Sequence, residues 1–241
     1  MLRTLGVLGG MGPLATASFM NQVIALSPAK SDQEHIPMFI RNIPQIPDRT
    51  KFLMGLEGEN PFFELKKGFK ELTSLGVSCI VIPCNTAHYW YDALTKNTDV
   101  HTISIVKSVI KQVKATGKQK VGILATTATL NMGIYQNAFK QHNIDFVEPN
   151  TQQQATIMDG ITAVKAGDLN KGRHLLSKAY DLMPAQGADC VLFGCTEIPL
   201  VLNEQTKHSP DTCLDTIAIL AQECVNWAYA NAHQSTLSSV A

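Results

Sequence analysis

The chain repeats itself. Gly76–Thr86 (GVSCIVIPCNT) aligns without a gap on Gly187–Glu197 (GADCVLFGCTE), 111 residues further on. Leu5–Leu8 (LGVL) matches Val121–Leu124 (VGIL) at an offset of 116, close enough to belong to the same duplication with a small insertion. Two registered matches in the same order predict two copies of one α/β unit rather than one large domain. Both copies of the longer match are short apolar runs that end in Cys and polar residues, the pattern of a buried strand running into a loop. Such copies face one another across a pseudo-two-fold axis, and ligands bind at the carboxyl ends of parallel strands.

The rest of the chain follows the same alternation. Strands are expected at Leu5–Leu8, Met38–Ile43, Cys79–Ile82, Thr102–Val106, Val121–Leu124, Asp145–Val147 and Val191–Phe193. Between them, residues 14–26, 61–75, 87–94, 106–115, 132–141, 152–166, 169–185 and 212–230 carry apolar residues at helical spacing. Alternating βα units predict an α/β fold with mainly parallel sheets. The expected division is a first lobe over residues 1–101 completed by a C-terminal helix at 210–231, a second lobe over 102–209, and a frayed tail at 232–241. With 241 residues the chain can bury roughly 70% of its extended surface, enough for two cores.

Charge narrows the function classes. Twenty Lys and Arg balance twenty Asp and Glu, so the long-range field that a nucleic acid or an anionic membrane would need is absent. The first residues run straight into a glycine-broken apolar stretch, which fits neither a signal peptide nor a span, and a cytoplasmic location is expected. Six cysteines in such a setting read as free thiols.

The cysteines divide by position. Cys79 and Cys190 fall inside apolar runs and read as small core residues. Cys84 and Cys195 fall where the strand stops and a helix is expected to start, which suits thiols with a pKa lowered toward neutrality. Metal binding is disfavoured, because Cys79 and Cys84 lie on opposite faces of their strand and no paired cluster with zinc spacing is present. A Cys84–Cys195 disulfide is geometrically conceivable but disfavoured by a reducing compartment. A single nucleophile paired with His88 would leave the second thiol without a task. Two thiols facing one carbon can remove a proton from one side and return one from the other.

Five motifs then carry a resemblance: GGMGPLAT at Gly9–Thr16, PQIPDRT at Pro44–Thr50, PCNTAH at Pro83–His88, LATT at Leu124–Thr127 and GCTE at Gly194–Glu197. Together, over about residues 4–230, the chain resembles the cofactor-independent aspartate/glutamate racemases. The resemblance implies two pseudo-symmetric α/β lobes around a cleft, each with a sheet of about four strands, assembled as a homodimer. It implies Cys84 and Cys195 as acid/base thiols, with Asn85, Thr86 and Ala87 binding substrate through side chains and backbone N–H groups. Arg49 and Lys165 match the family's two cationic residues that hold the substrate carboxylates, and Thr126, Thr127 and Thr196 are further candidate donors. Helix capping is the competing reading for those threonines. Glu197 could orient or tune Cys195, although a negative neighbour raises a thiol pKa.

The implied substrate is aspartate, with glutamate as a second candidate, and no cofactor; no pyridoxal lysine motif is evident and the two-thiol scheme requires none. Residues 10–15 formally satisfy a dinucleotide fingerprint, but the next strand lacks the expected acidic end and Pro13 removes a backbone donor. A non-catalytic dicarboxylate-binding module, or a related diacid isomerase or decarboxylase, are the alternatives; the first does not need paired thiols, and the related enzymes work with a different cysteine complement. His88 reads as a positioning residue rather than a base, and the aromatic run Tyr89–Tyr91 reads as core or subunit contact.

Overall fold

The computed structural model describes residues 2–56, 58–209 and 211–230. Among the described residues eight strands form two sheets: β1 (Leu5–Gly9), β2 (Met38–Asn42), β3 (Cys79–Val81) and β4 (His101–Ile103), then β5 (Lys120–Ala125), β6 (Asp145–Val147), β7 (Cys190–Gly194) and β8 (Cys213–Asp215). The strand orders are β2-β1-β3-β4 and β6-β5-β7-β8, every pairing is parallel, and helices flank both sheets. The expected fold class of two similar parallel α/β lobes is the one observed. Register makes the repeat physical: Leu5 pairs with Cys79 in the first sheet, and Val121 pairs with Cys190 in the second.

Parallel sheets bury both faces, which is why β1, β3 and β7 are buried at every residue and read as continuous apolar runs. β2 lies at an edge and is mostly exposed. In each lobe the chain reverses direction across the sheet between its two central strands. The loops after β1 and β3, and after β5 and β7, therefore leave from neighbouring strand ends and open a crevice.

Three departures from the sequence reading stand out. β8 lies within the segment expected as a helix at 212–230; the helix itself runs Thr216–Tyr229, capped by Asp215, whose Oδ1 accepts from the Ile217 and Ala218 N–H groups. β4 ends at Ile103, so the first sheet continues past the expected boundary between residues 101 and 102; of the rest of the expected strand 102–106, Ser104 caps the helix Ile105–Thr116 and Ile105 and Val106 belong to it. Arg49 opens a short helix, Arg49–Leu53, rather than lying in a loop; Asp48 caps it by accepting from the Lys51 N–H at 2.8 Å. The tail expected at 232–241 lies outside the described residues.

Two helices change sides. Ile105–Thr116 follows the last strand of the first sheet, yet Val109, Ile110 and Val113 pack on Val121, Ile123 and Leu192 of the second. Thr216–Tyr229 follows the last strand of the second sheet and packs Ile217, Leu220 and Cys224 on Leu5, Val7 and Cys79 of the first.

Gly10 closes the loop after β1. Its φ is +98°, and a Cβ there would come within 2.4–2.5 Å of the Ile43 backbone, so only glycine allows the loop to lie against the end of β2.

Candidate active site

Cys84 follows β3 after Ile82 and Pro83, and Cys195 is the first residue after β7. Both are buried and free, and both line one enclosed chamber between the lobes. Asn85, Thr86, Thr126 and Thr196 line it as well, together with Arg49, Lys165, Glu197, Met11 and Thr50. Ala87 and Thr127 are not part of it. Ala87 belongs to the apolar core beneath the Cys84 loop, and the Thr127 hydroxyl accepts from Gln154 Nε2 at 3.1 Å.

The chamber holds only about 10 Å³, roughly one water. An outer recess of about 420 Å³, lined by Gly10, Gly12, Ile46, Asp48 and Leu200 among others, shares Arg49, Lys165 and Glu197 with it. Those three side chains line both spaces. A wider recess of about 940 Å³ beside Arg41, Phe63 and Lys66 contains neither thiol.

The two thiols sit in unlike surroundings. The Cys195 thiol donates to Glu197 Oε2 at 3.0 Å, and the Thr196 hydroxyl donates to the same oxygen at 3.2 Å. Burial, with the Glu197 charge adding to it, raises Cys195 well above the ordinary thiol range, and Lys165 only partly offsets this. The expectation of a thiol lowered by a helix N-terminus is thus reversed at Cys195: the following helix, Ile198–Val201, has four residues, and desolvation outweighs it. On the other side, the Cys84 carbonyl accepts from His88 Nδ1 at 2.8 Å, while His88 Nε2 accepts from the Ile105 N–H at 3.1 Å. The Ile105 N–H can only donate, which fixes the tautomer. Burial lowers His88 to about 4, so it is a neutral brace for the Cys84 loop and not a base.

The cationic side chains are held ready. Arg49 is buried, donates from Nη1 to the Ile46 and Pro47 carbonyls at 3.0 Å each, and keeps a buried Nε with no partner. Burial acts to lower Lys165, but Glu197 and Cys195 outweigh it and the ammonium stays charged, its pKa raised. Asp48 at the rim is pushed up by burial and pulled further down by the Lys51 N–H, Lys165 and Arg49, ending below the usual carboxylate range.

Sequence reading did not find Thr129, Tyr135 or Thr216. The Thr86, Thr126 and Thr129 hydroxyls meet in a triangle with sides of 2.9–3.0 Å, joining the Cys84 loop to the second lobe. Asn85 bonds to Tyr135 and Thr216, 50 and 131 residues away. Nothing local marks such partners: Tyr135 lies in an expected helix, 132–141, and Thr216 inside the expected helix 212–230.

A pair of pseudo-equivalent thiols enclosed with two cations and a set of hydroxyl donors is an arrangement suited to the class of proteins that do acid/base chemistry on a small anion. The comparisons with known proteins agree with that class. Residues 8–224 match the profile of the family described as Asp/Glu/hydantoin racemase, and the chain belongs to that family. It is 29% identical over 230 residues to the broad specificity amino-acid racemase RacX of Bacillus subtilis (strain 168), covering 92% of this chain and 96% of RacX. Among solved structures, the Picrophilus torridus aspartate racemase is similar with a TM-score of 0.84 and 29% identity, over 94% of each chain. A glutamate racemase of Corynebacterium glutamicum is 27% identical over 205 residues, 75% of this chain and 73% of its own length.

Proposed function

We propose that the chain interconverts L- and D-aspartate, using Cys84 and Cys195 as opposed acid/base thiols and no cofactor. The observation that carries this reading is the enclosure of both thiols, from equivalent positions of the two repeats, in one chamber with Arg49 and Lys165. Two carboxylates on the substrate match two cations: guanidinium grips a carboxylate through a planar fork, and a lysine supplies a point charge. The similarity to an aspartate racemase favours aspartate, while RacX and the glutamate racemases set the alternatives within the same chemistry.

In one direction a thiolate takes the α-proton, the C–H bond breaks, and its electron pair passes toward the α-carboxylate. The opposite thiol gives its proton to the other face, so a new C–H bond forms with inverted configuration and the two sulfurs exchange protonation states. The developing charge needs fixed donors in a site without bulk water. The chamber hydroxyls and the backbone N–H groups after each thiol take that role. The Cys195–Glu197 bond supports Cys195 as the protonated partner of the resting site. A homodimer and a cytoplasmic location belong to the same reading.

The test is racemisation in deuterated water without added cofactor. Deuterium should enter the α-position as the enantiomer inverts, and Cys84→Ala and Cys195→Ala should each abolish inversion. Full racemisation by either single variant would overturn the two-thiol scheme.

A further inference from the structure

The amide of Asn85 is spanned from both ends. The Thr216 hydroxyl donates to the Phe193 carbonyl at 2.9 Å, and that carbonyl can only accept. Thr216 Oγ1 must therefore take its other bond, at 3.1 Å, from Asn85 Nδ2. This turns Asn85 Oδ1 toward the Tyr135 hydroxyl, which donates to it. All four residues are buried, Tyr135, Phe193 and Thr216 completely. The orientation of every group in the row follows from one backbone carbonyl.

The row has a definite place. Asn85 is the residue after one thiol, and Phe193 lies two residues before the other. Tyr135 belongs to the helix Ile134–Gln141 of the second lobe, and Thr216 opens the helix that returns to the first. The repeat supplies an internal comparison. The offset of 116 sets Phe19 against Tyr135, and Phe19 shares a core with Leu5 and Val7 as Tyr135 does with Val121 and Ile123. The offset of 111 sets Ile105 against Thr216 and Thr196 against Asn85. The counterparts of the two hydroxyl residues are apolar, and Thr196 turns to Glu197 instead. Packing alone therefore does not call for a hydroxyl at either position.

We propose that Tyr135 and Thr216 are positioning residues that clamp the Asn85 amide as a strut between the Cys84 loop and the strand leading to Cys195, fixing where the two thiols stand relative to one carbon. The proposal rests on the two-thiol reading above. Inversion needs both sulfurs aligned on the same α-carbon; removal of a proton needs only one. A loosened strut therefore slows delivery from the far side more than abstraction from the near side, and the carbanion is returned to its starting configuration.

The experiment uses the full chain with aspartate in deuterated water, following inversion, deuterium in the unreacted enantiomer, and thermal melting. Tyr135→Phe and Thr216→Val should lower kcat about 10- to 100-fold with a smaller change in KM, as expected for misplaced reacting groups. Both should raise the ratio of deuterium exchange to inversion. Thr216→Ser keeps the hydroxyl and should recover most of the loss seen with Thr216→Val. Wild-type kcat and exchange ratio in both variants would overturn the strut, as would a loss of kcat at an unchanged exchange ratio, the mark of a merely structural role. A wild-type chain that neither exchanges nor inverts aspartate would instead overturn the proposed aspartate racemisation on which the strut depends.

Discussion

The thiol of Cys195 donates a 3.0 Å hydrogen bond to the carboxylate of Glu197, two residues along the same loop. The acid/base group and the charge that governs it are carried by one four-residue motif, so neither depends on the other lobe for their contact.

Glu197→Gln keeps the size of that side chain and removes its charge. Burial still raises Cys195, but the next largest upward contribution is lost, so the thiol should ionise at lower pH. Alkylation of Cys195 by iodoacetamide, followed by peptide mass spectrometry across a pH series, should begin at lower pH than in the wild type. An unshifted onset would remove Glu197 as the governing charge.

Arg49 is anchored through Nη1 and keeps an unpartnered buried Nε. Replacing it with Ala should raise KM for a dicarboxylic amino acid by about 10- to 100-fold, the loss of one charge-assisted contact. A monocarboxylic amino acid should be affected less. Equal effects on both would take Arg49 away from the side-chain carboxylate. Arg49→Lys should recover little, since a point charge does not reproduce the fork.

Gly10 and Gly117 both have positive φ but differ in surroundings. A Cβ on Gly10 meets the Ile43 backbone at 2.4 Å, whereas one on Gly117 meets nothing within 4 Å. Gly117→Ala should cost about 1 kcal/mol, the usual penalty of the left-handed region. Gly10→Ala should cost roughly 2–4 kcal/mol, because backbone must also move. Urea denaturation of the two variants measures the difference, and equal midpoints would contradict the contact.

Two buried groups give opposite pH dependences. Burial lowers His88 from 6.5 to about 4, so its contribution to stability is present above pH 6.5 and is lost as pH falls through 4. Burial raises Asp215 from 3.8 to about 6 against the pull of two N–H groups, so its contribution is full below pH 3.8 and lost as pH rises through 6. Between these limits they oppose one another. Asp215→Asn keeps a capping oxygen and removes the Asp215 titration, so the variant should lose stability more steeply than the wild type on acidification from pH 6 to 4. Urea midpoints measured across that interval test the sign; parallel profiles would contradict it.

The duplication, seven of the eight strands and the two thiol loops were legible because each is written in a contiguous run of residues. β8 was not: it is three residues long and leads directly into an apolar helix, so its two apolar residues merged with the helical pattern. The direction of the Cys195 shift was misread because position after a strand says nothing of desolvation, which here exceeds any contribution from a four-residue helix. Thr129, Tyr135 and Thr216 were missed for a different reason. Their partners lie 43, 50 and 131 residues away, and ordinary core and capping positions carry no mark of such pairing.

The traded helices bear on how such a chain could have arisen. A half-length polypeptide ending near Thr116 would present Val109, Ile110 and Val113 with no sheet to cover, while Leu5 and Val7 would lack the helix that shields them. Such a half could close its core only by seating its last helix on a second copy and receiving that copy's helix in return. The present chain has the connectivity of an interlocked pair joined end to end, and its lobes cannot be separated by a single cut without baring both interiors.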